Sequence, residues 1–171
     1  MPNSVDVVTF LSLSFPIFDI RSPIEFDKGH IPNSINLPLF TNEERAIVGT
    51  AYFKKGSSEA IKIGLEKVQS KLVNFIESVN NFTFDKNIRI HCWRGGLRSQ
   101  NMVWLLEMAG YNVYLLNGGY KSYRNYVLKY FENKFPIIVI GGMTGVGKTE
   151  ILNLLKFNGE QVVDFESLLS D

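Results

Sequence analysis

Short apolar runs bounded by turn residues alternate along this chain with segments whose apolar residues recur every three or four positions. That alternation specifies an α/β fold, in which a parallel sheet is covered by helices that return the chain to the same sheet edge. "VDVVTF" (5–10) and "FPIFDI" (15–20) read as strands, and a short helix follows from about Pro23, where proline suits the first turn. "SINLP" reads as a third strand. From Asn42 to Asn80 the apolar residues Ile61, Leu65, Val68, Leu72, Phe75, Ile76 and Val79 keep the helical period, predicting one or two amphipathic helices broken near Gly56. "NIRIHC" is then a buried strand ending at Cys92, "RSQNMVWLLEMAG" a helix stopped by Gly110, "YNVYLLNGG" a strand and its turn, and "YKSYRNYVLKYFENK" a partly exposed helix. Trp104, Leu105 and Met108 fall on helical spacing and are expected in the core.

A second unit begins near residue 135. "IIVIGG" reads as a strand, "GMTGVGKTEILNLLKFNG" as a glycine-rich loop entering a helix, and "QVVDFESLLSD" as the approach to another strand. The expected organisation is a domain over residues 1–134 followed at 135–171 by the start of a βαβ unit, since two strands and one helix cannot cover their own apolar faces. The remainder is expected to come from a longer chain or from a second polypeptide.

The 45% of hydrophobic residues suffice for one full core. Eighteen basic against 17 acidic side chains leave a net charge of +1, so no global field draws nucleic acid, and an RNA partner must be argued from local groups. The apolar runs "FPIIVIGGM" and "MVWLLEMAG" are about half as long as a membrane span and read as core, so no membrane association is expected. A single cysteine and an amino-terminal sequence without a secretory pattern lead to the reducing cytoplasm as the expected compartment.

That cysteine lies in "HCWRGGLRS", His91–Ser99. A cysteine at the carboxyl end of a buried strand, before a tight loop and a helix, sits where backbone N–H groups and the helix amino terminus converge, expected here as a bowl with the sulfur at its mouth. The setting favours an anion and, with Arg94 and Arg98, the thiolate. Gly95 and Gly96 let the loop turn its amides inward. Trp93, Leu97 and Ser99 complete the loop. Read literally, the Cys-to-Arg spacing is that of the cysteine-dependent phosphatases; those enzymes need a general acid near the loop, and neither Asp nor Glu occurs between Cys92 and Leu106. Asp19 and Arg21 are suited to tying a strand end to neighbouring loops through charge-assisted hydrogen bonds. His91 is either a buried strand residue or a group that tunes the thiolate. Trp93 packs on the fold or stacks a base, and Tyr120, Lys121, Tyr123 and Arg124 mix aromatic and basic groups in a manner suited either to RNA or to a domain interface. His30 and His91 have no metal-ligand spacing with other donors, so no metal site is expected there.

"GMTGVGKT", Gly142–Thr149, satisfies Gly, four residues, Gly-Lys-Thr between an expected strand and an expected helix, the context of a phosphate-binding loop. Amides from Gly145 through Gly147 to Lys148 would hold a diphosphate, Lys148 would neutralise it, and Thr149 would reach a magnesium ion.

The block "FDIRSPIEFDKGHIPNSINLPL" resembles the rhodanese-family signature, and "NEERAIVGTAYFKKG", "CWRGGLRS", "LNGGYKSYR" and "GGMTGVGKTEIL" together resemble the tRNA 2-selenouridine synthase family over the whole chain. The resemblance implies a rhodanese domain joined to a P-loop domain. It implies replacement of sulfur by selenium at wobble 2-thiouridine of tRNA through a geranylated intermediate, with selenophosphate and geranyl diphosphate as co-substrates and Cys92 as the residue that handles selenium. Some rhodanese-fold phosphatases and arsenate reductases share the cysteine-to-arginine spacing and form the alternative, beside a non-catalytic split subunit that needs a partner.

Overall fold

A computed structural model describes residues 3–83, 85–134 and 136–168. The chain divides into two compact units, Met1–Glu132 and Asn133–Asp171.

The first unit runs β1 (Asn3–Val5), α1 (Val7–Ser12), β2 (Ile17–Asp19), α2 (Pro23–Asp27), β3 (Ser34–Asn36), α3 (Asn42–Lys55), α4 (Ser57–Val68), a 3₁₀ turn (Gln69–Lys71), α5 (Leu72–Asn80), β4 (Asn87–His91), α6 (Leu97–Met108), β5 (Asn112–Leu116) and α7 (Gly119–Phe131). Among the described residues the strands form one sheet in the order β1-β5-β4-β2-β3, and every pair is parallel. Alternation along β4 divides the interior. Ile88, Ile90 and then Cys92 belong to the larger cluster with Phe18, Phe75, Val79, Met102 and Leu106. The opposite face carries a smaller cluster of Phe10, Ile17, Ile31 and Leu116, against which Tyr120 and Tyr123 pack.

Several elements depart from the sequence reading. "VDVVTF" is not a strand beyond Val5: the Asp6 carboxylate accepts from the amides of Val8 and Thr9 at 2.8 and 3.0 Å, and this cap starts α1 within an otherwise β-prone run. The 42–80 segment is three helices; Gly56, at φ +89°, makes the expected break, and the 3₁₀ turn at Gln69–Lys71 makes another. Trp104 and Met108 are not core residues. Packing of α6 is set by Ser99, Met102, Val103 and Leu106, so Leu97, Trp104 and Met108 line its far side, the latter two at 63% and 69% exposure.

The second unit contains α8 (Lys148–Phe157) and α9 (Phe165–Leu168). The strands expected at "IIVIGG" and after Gln161 are not formed among its described residues, and the expected core run is exposed, Ile138 at 91%. A parallel strand exists only within a ladder, and the described residues of this unit offer no partner strand. Residues 135 and 169–171 of those stretches lie outside the described residues.

Candidate active site

Cys92 follows the last residue of β4, and the loop from Trp93 to Gly96 leads into α6. Cys92 is 2% exposed and belongs to the larger apolar cluster, so the sulfur is buried in the core and not, as expected, at the mouth of a bowl of amides. The Ser99 hydroxyl lies 3.2 Å from Sγ and donates to the Gly96 carbonyl at 2.9 Å. Arg94, Gly96 and Leu97 lie at the surface.

The loop is held from below by α7. The amides of Tyr120 and Lys121 donate to the carbonyls of Cys92 and Trp93 at 2.8 and 3.0 Å. This contact requires glycine at 119: a Cβ there would stand 2.4 Å from the Cys92 oxygen and 2.8 Å from the Arg94 nitrogen, and φ is +60°. The functional weight of Gly119 was not visible locally, because its constraint comes from a loop some 25 positions earlier in the chain.

Asp19 and Arg21 form a buried pair at the end of β2. Arg21 Nε donates to both carboxylate oxygens at 2.9 Å, and Nη2 reaches the Gly29 carbonyl at 2.8 Å. The guanidinium lies 3.9 Å from the centre of the Tyr120 ring and 5.9 Å from that of Trp93. Trp93 also packs on Tyr120, with ring centres 5.7 Å apart. Tyr120 and Tyr123 are thus turned toward the fold, while Lys121 and Arg124 remain at the surface or near it.

His91 is fully buried between Phe10 and Tyr120, with Nε2 3.8 Å from an Asp19 oxygen and no hydrogen-bond partner for either ring nitrogen. Burial, only partly offset by Asp19, pushes its pKa down to about 4, so the ring is neutral.

Arg98 does not contact the sulfur. Its Nη1 lies 3.4 Å from Glu25, whose carboxylate also faces Arg45 at 3.5 Å and accepts from the Ser22 amide and hydroxyl at 3.2 Å. Burial pushes the Glu25 carboxyl up, but Arg98, Ser22 and Arg45 outweigh it and hold the group below its ordinary value. Glu25 escaped the sequence reading because its link to the loop spans 73 positions. It is a carboxylate tied to the loop through Arg98, and these surroundings favour its ionised form over that of a proton donor.

In the second unit, Lys148 folds back over its own loop and donates to the carbonyls of Gly142 and Met143, both at 3.0 Å. Gly147 precedes α8 in the left-handed conformation at φ +84°, as Gly145 also does. The loop therefore has the positive-φ turns of an anion-binding concavity at the start of a ten-residue helix. Glu150 lies beside it, and Glu166 is 3.9 Å from Lys148. Thr149 is exposed at the second position of α8, where a hydroxyl can meet a cation carried in with a diphosphate. No group of three or more metal-ligating side chains occurs among the described residues. No helix among them is long and apolar enough to cross a membrane.

A parallel five-stranded sheet with a cysteine loop at the carboxyl end of its central strand defines the class, and the family model for the rhodanese-like domain matches residues 6–126; the chain belongs to this family. Its curated relatives are more particular. A tRNA 2-selenouridine synthase from Sulfurovum sp. (strain NBC37-1) is 37% identical over 98% of this chain and 46% of its own length, and one from Nitrosomonas europaea is 34% identical over 95% and 43%. The chain therefore spans a little under half the length of these relatives. Among solved structures, the N-terminal domain of a Clostridium difficile 630 protein described as ATP/GTP-binding is 43% identical, with a TM-score of 0.67 over 73% of this chain and 98% of that domain.

Proposed function

We propose that this chain serves tRNA modification as a transferase, carrying a chalcogen on Cys92 for the replacement of sulfur by selenium at wobble 2-thiouridine. The observation that supports this reading is the span of the relatives' similarity: at 95–98% of the chain it takes in both the Cys92 loop and the Gly142–Thr149 loop, so the two units recur together in proteins named tRNA 2-selenouridine synthase.

In the proposed loading step the Cys92 thiolate attacks the outer chalcogen of a donor. An S–S or S–Se bond forms at Sγ, the donor's own bond to that chalcogen breaks, and the electron pair leaves with sulfite from thiosulfate or selenosulfate. The Ser99 hydroxyl would turn from the Gly96 carbonyl to donate to the charged sulfur, and loop amides would receive the departing anion. Because Cys92 is buried, Trp93–Leu97 must shift to admit the donor, and Gly95 and Gly96 give that segment its freedom. The second loop would hold the diphosphate of geranyl diphosphate, the source of the geranylated intermediate, with magnesium at Thr149. The tRNA, offered Arg94, Lys121 and Arg124 at the surface, is the proposed acceptor, in the cytoplasm. Exposed Ile137, Ile138 and Val139 suit burial against strands supplied outside this sequence, by a longer chain or a second one.

Rhodanese-fold phosphatase or arsenate reductase chemistry draws on the same Cys92-to-Arg98 spacing, but the ionised Glu25 supports it poorly. Sulfur transfer from thiosulfate to cyanide, assayed beside hydrolysis of an aryl phosphate, separates the two. The proposal expects transfer without hydrolysis, abolished in Cys92→Ser; hydrolysis without transfer would overturn it.

A further inference from the structure

Of the two buried guanidinium groups among the described residues, Arg21 has Asp19, whereas Arg89 has no carboxylate partner. Arg89 stands in the middle of β4 opposite Ile17, on the face away from Cys92, and is 8% exposed. Its Nε donates to the Phe15 carbonyl and its Nη1 to the Phe10 carbonyl, both at 2.7 Å. These bonds satisfy backbone at and beyond the end of α1. They use two of its five N–H groups and leave one on Nη1 and both on Nη2. Burial pushes the pKa of the group below its ordinary value, with no carboxylate to oppose that effect, although an arginine stays charged at any working pH.

Beside it is an open cleft of about 530 Å³ whose apolar walls include Leu11, Ile17, Ile31, Tyr123 and Val127. Segments 14–16 and 31–33, which precede β2 and β3, form its rim, so it lies at the amino end of the strands, opposite the Cys92 loop. Ser14 and Asn33 supply further polar groups, and Arg89 is its single charged lining residue.

We propose that this cleft binds a small monocarboxylate with an apolar body, the carboxylate on the free edge of Arg89 and the hydrocarbon or aromatic part against Leu11, Ile31 and Val127. The charge count selects the class. One buried cation is balanced by one anionic charge, a neutral ligand would leave it unpaired, and a phosphate dianion would bring a surplus negative charge into an apolar cleft. The volume falls within the range of about 300 to 1,000 Å³ typical of small-molecule sites. The site is independent of the reaction proposed at Cys92.

Calorimetric titration of the full chain with octanoate and with phenylacetate tests it, octanol and inorganic phosphate being the controls. Arg89→Met removes the cation. Val127→Trp, on the half-buried face of α7, fills the cleft and leaves Arg89 and the α1 contacts in place, which keeps the test decisive should Arg89→Met fail to fold. The expected result is saturable binding of at least one carboxylate at one site, at least tenfold tighter than octanol or phosphate, and weakened at least tenfold in Val127→Trp and in folded Arg89→Met. Absence of saturable carboxylate binding, equal or tighter binding of phosphate, or unchanged affinity in Val127→Trp would overturn it.

Discussion

Gly119 lies against the carbonyl of Cys92 so closely that the first carbon of any side chain would stand 2.4 Å from that oxygen. The cysteine loop therefore rests on the amino end of α7, and its shape is set by a residue remote in sequence. Gly119→Ala should cost about 1 to 2 kcal/mol for the left-handed backbone and about 1 to 3 more for the forced contact. Gly96→Ala, where a Cβ would meet nothing within 4 Å and φ is −87°, should change stability by about 0.5 kcal/mol or less. Urea denaturation of the two variants measures the difference; equal stabilities would show that the loop does not rest on α7 as described.

The Asp19–Arg21 pair is buried on both sides, so removing one partner strands the other charge. Asp19→Leu should destabilise the first unit by about 3 to 5 kcal/mol. The double variant Asp19→Leu with Arg21→Met should lose less than the single one, since no charge remains in the interior. A double variant worse than the single would contradict this account of the pair.

His91 makes stability depend on pH. Its pKa is about 4 when folded and about 6.5 when unfolded, so between these values the unfolded chain binds the proton and the folded one does not. Stability contributed by the neutral ring is complete above about pH 6.5, declines as pH falls, and is lost by about pH 4, a change of about 3 kcal/mol. His91→Leu should flatten that part of the acid limb in a stability-against-pH series. An unchanged slope would place the titration elsewhere.

Lys148 bridges the two carbonyls at the start of its loop and is poised to exchange them for a diphosphate. Lys148→Met should weaken binding of geranyl diphosphate at least tenfold, about 1.4 kcal/mol, by calorimetry. Thr149→Val should weaken it only when magnesium is present. Full affinity in Lys148→Met would rule out the loop as the diphosphate site.

What could be read from sequence was what neighbours along the chain decide. The order of strands and helices from β2 to α7, the break at Gly56, the stop at Gly110 and the position of Cys92 at a strand end all follow from local pattern. Val7–Phe10 is helical and not a strand because one carboxylate, Asp6, outweighs the β-compatible residues that follow it. Trp104 and Met108 kept a helical period that belongs to the second, exposed side of α6; periodicity locates a stripe without saying which stripe is covered. "IIVIGG" has strand composition, but a strand is a relation between two segments and its partner is not among the described residues. Likewise Glu25 at Arg98, Gly119 under Cys92 and the unpaired Arg89 are facts of tertiary contact that no local pattern announces.

The central claim is that Cys92 carries the chalcogen, and this chain, with a single cysteine, permits a direct test. Intact-mass and peptide mass spectrometry after incubation with selenosulfate or thiosulfate should show one added selenium or sulfur atom on the peptide containing Cys92, removed by reductant and absent in Cys92→Ser. A fully folded chain that takes up no chalcogen from either donor, or a Cys92→Ser variant that still takes it up, would contradict the account.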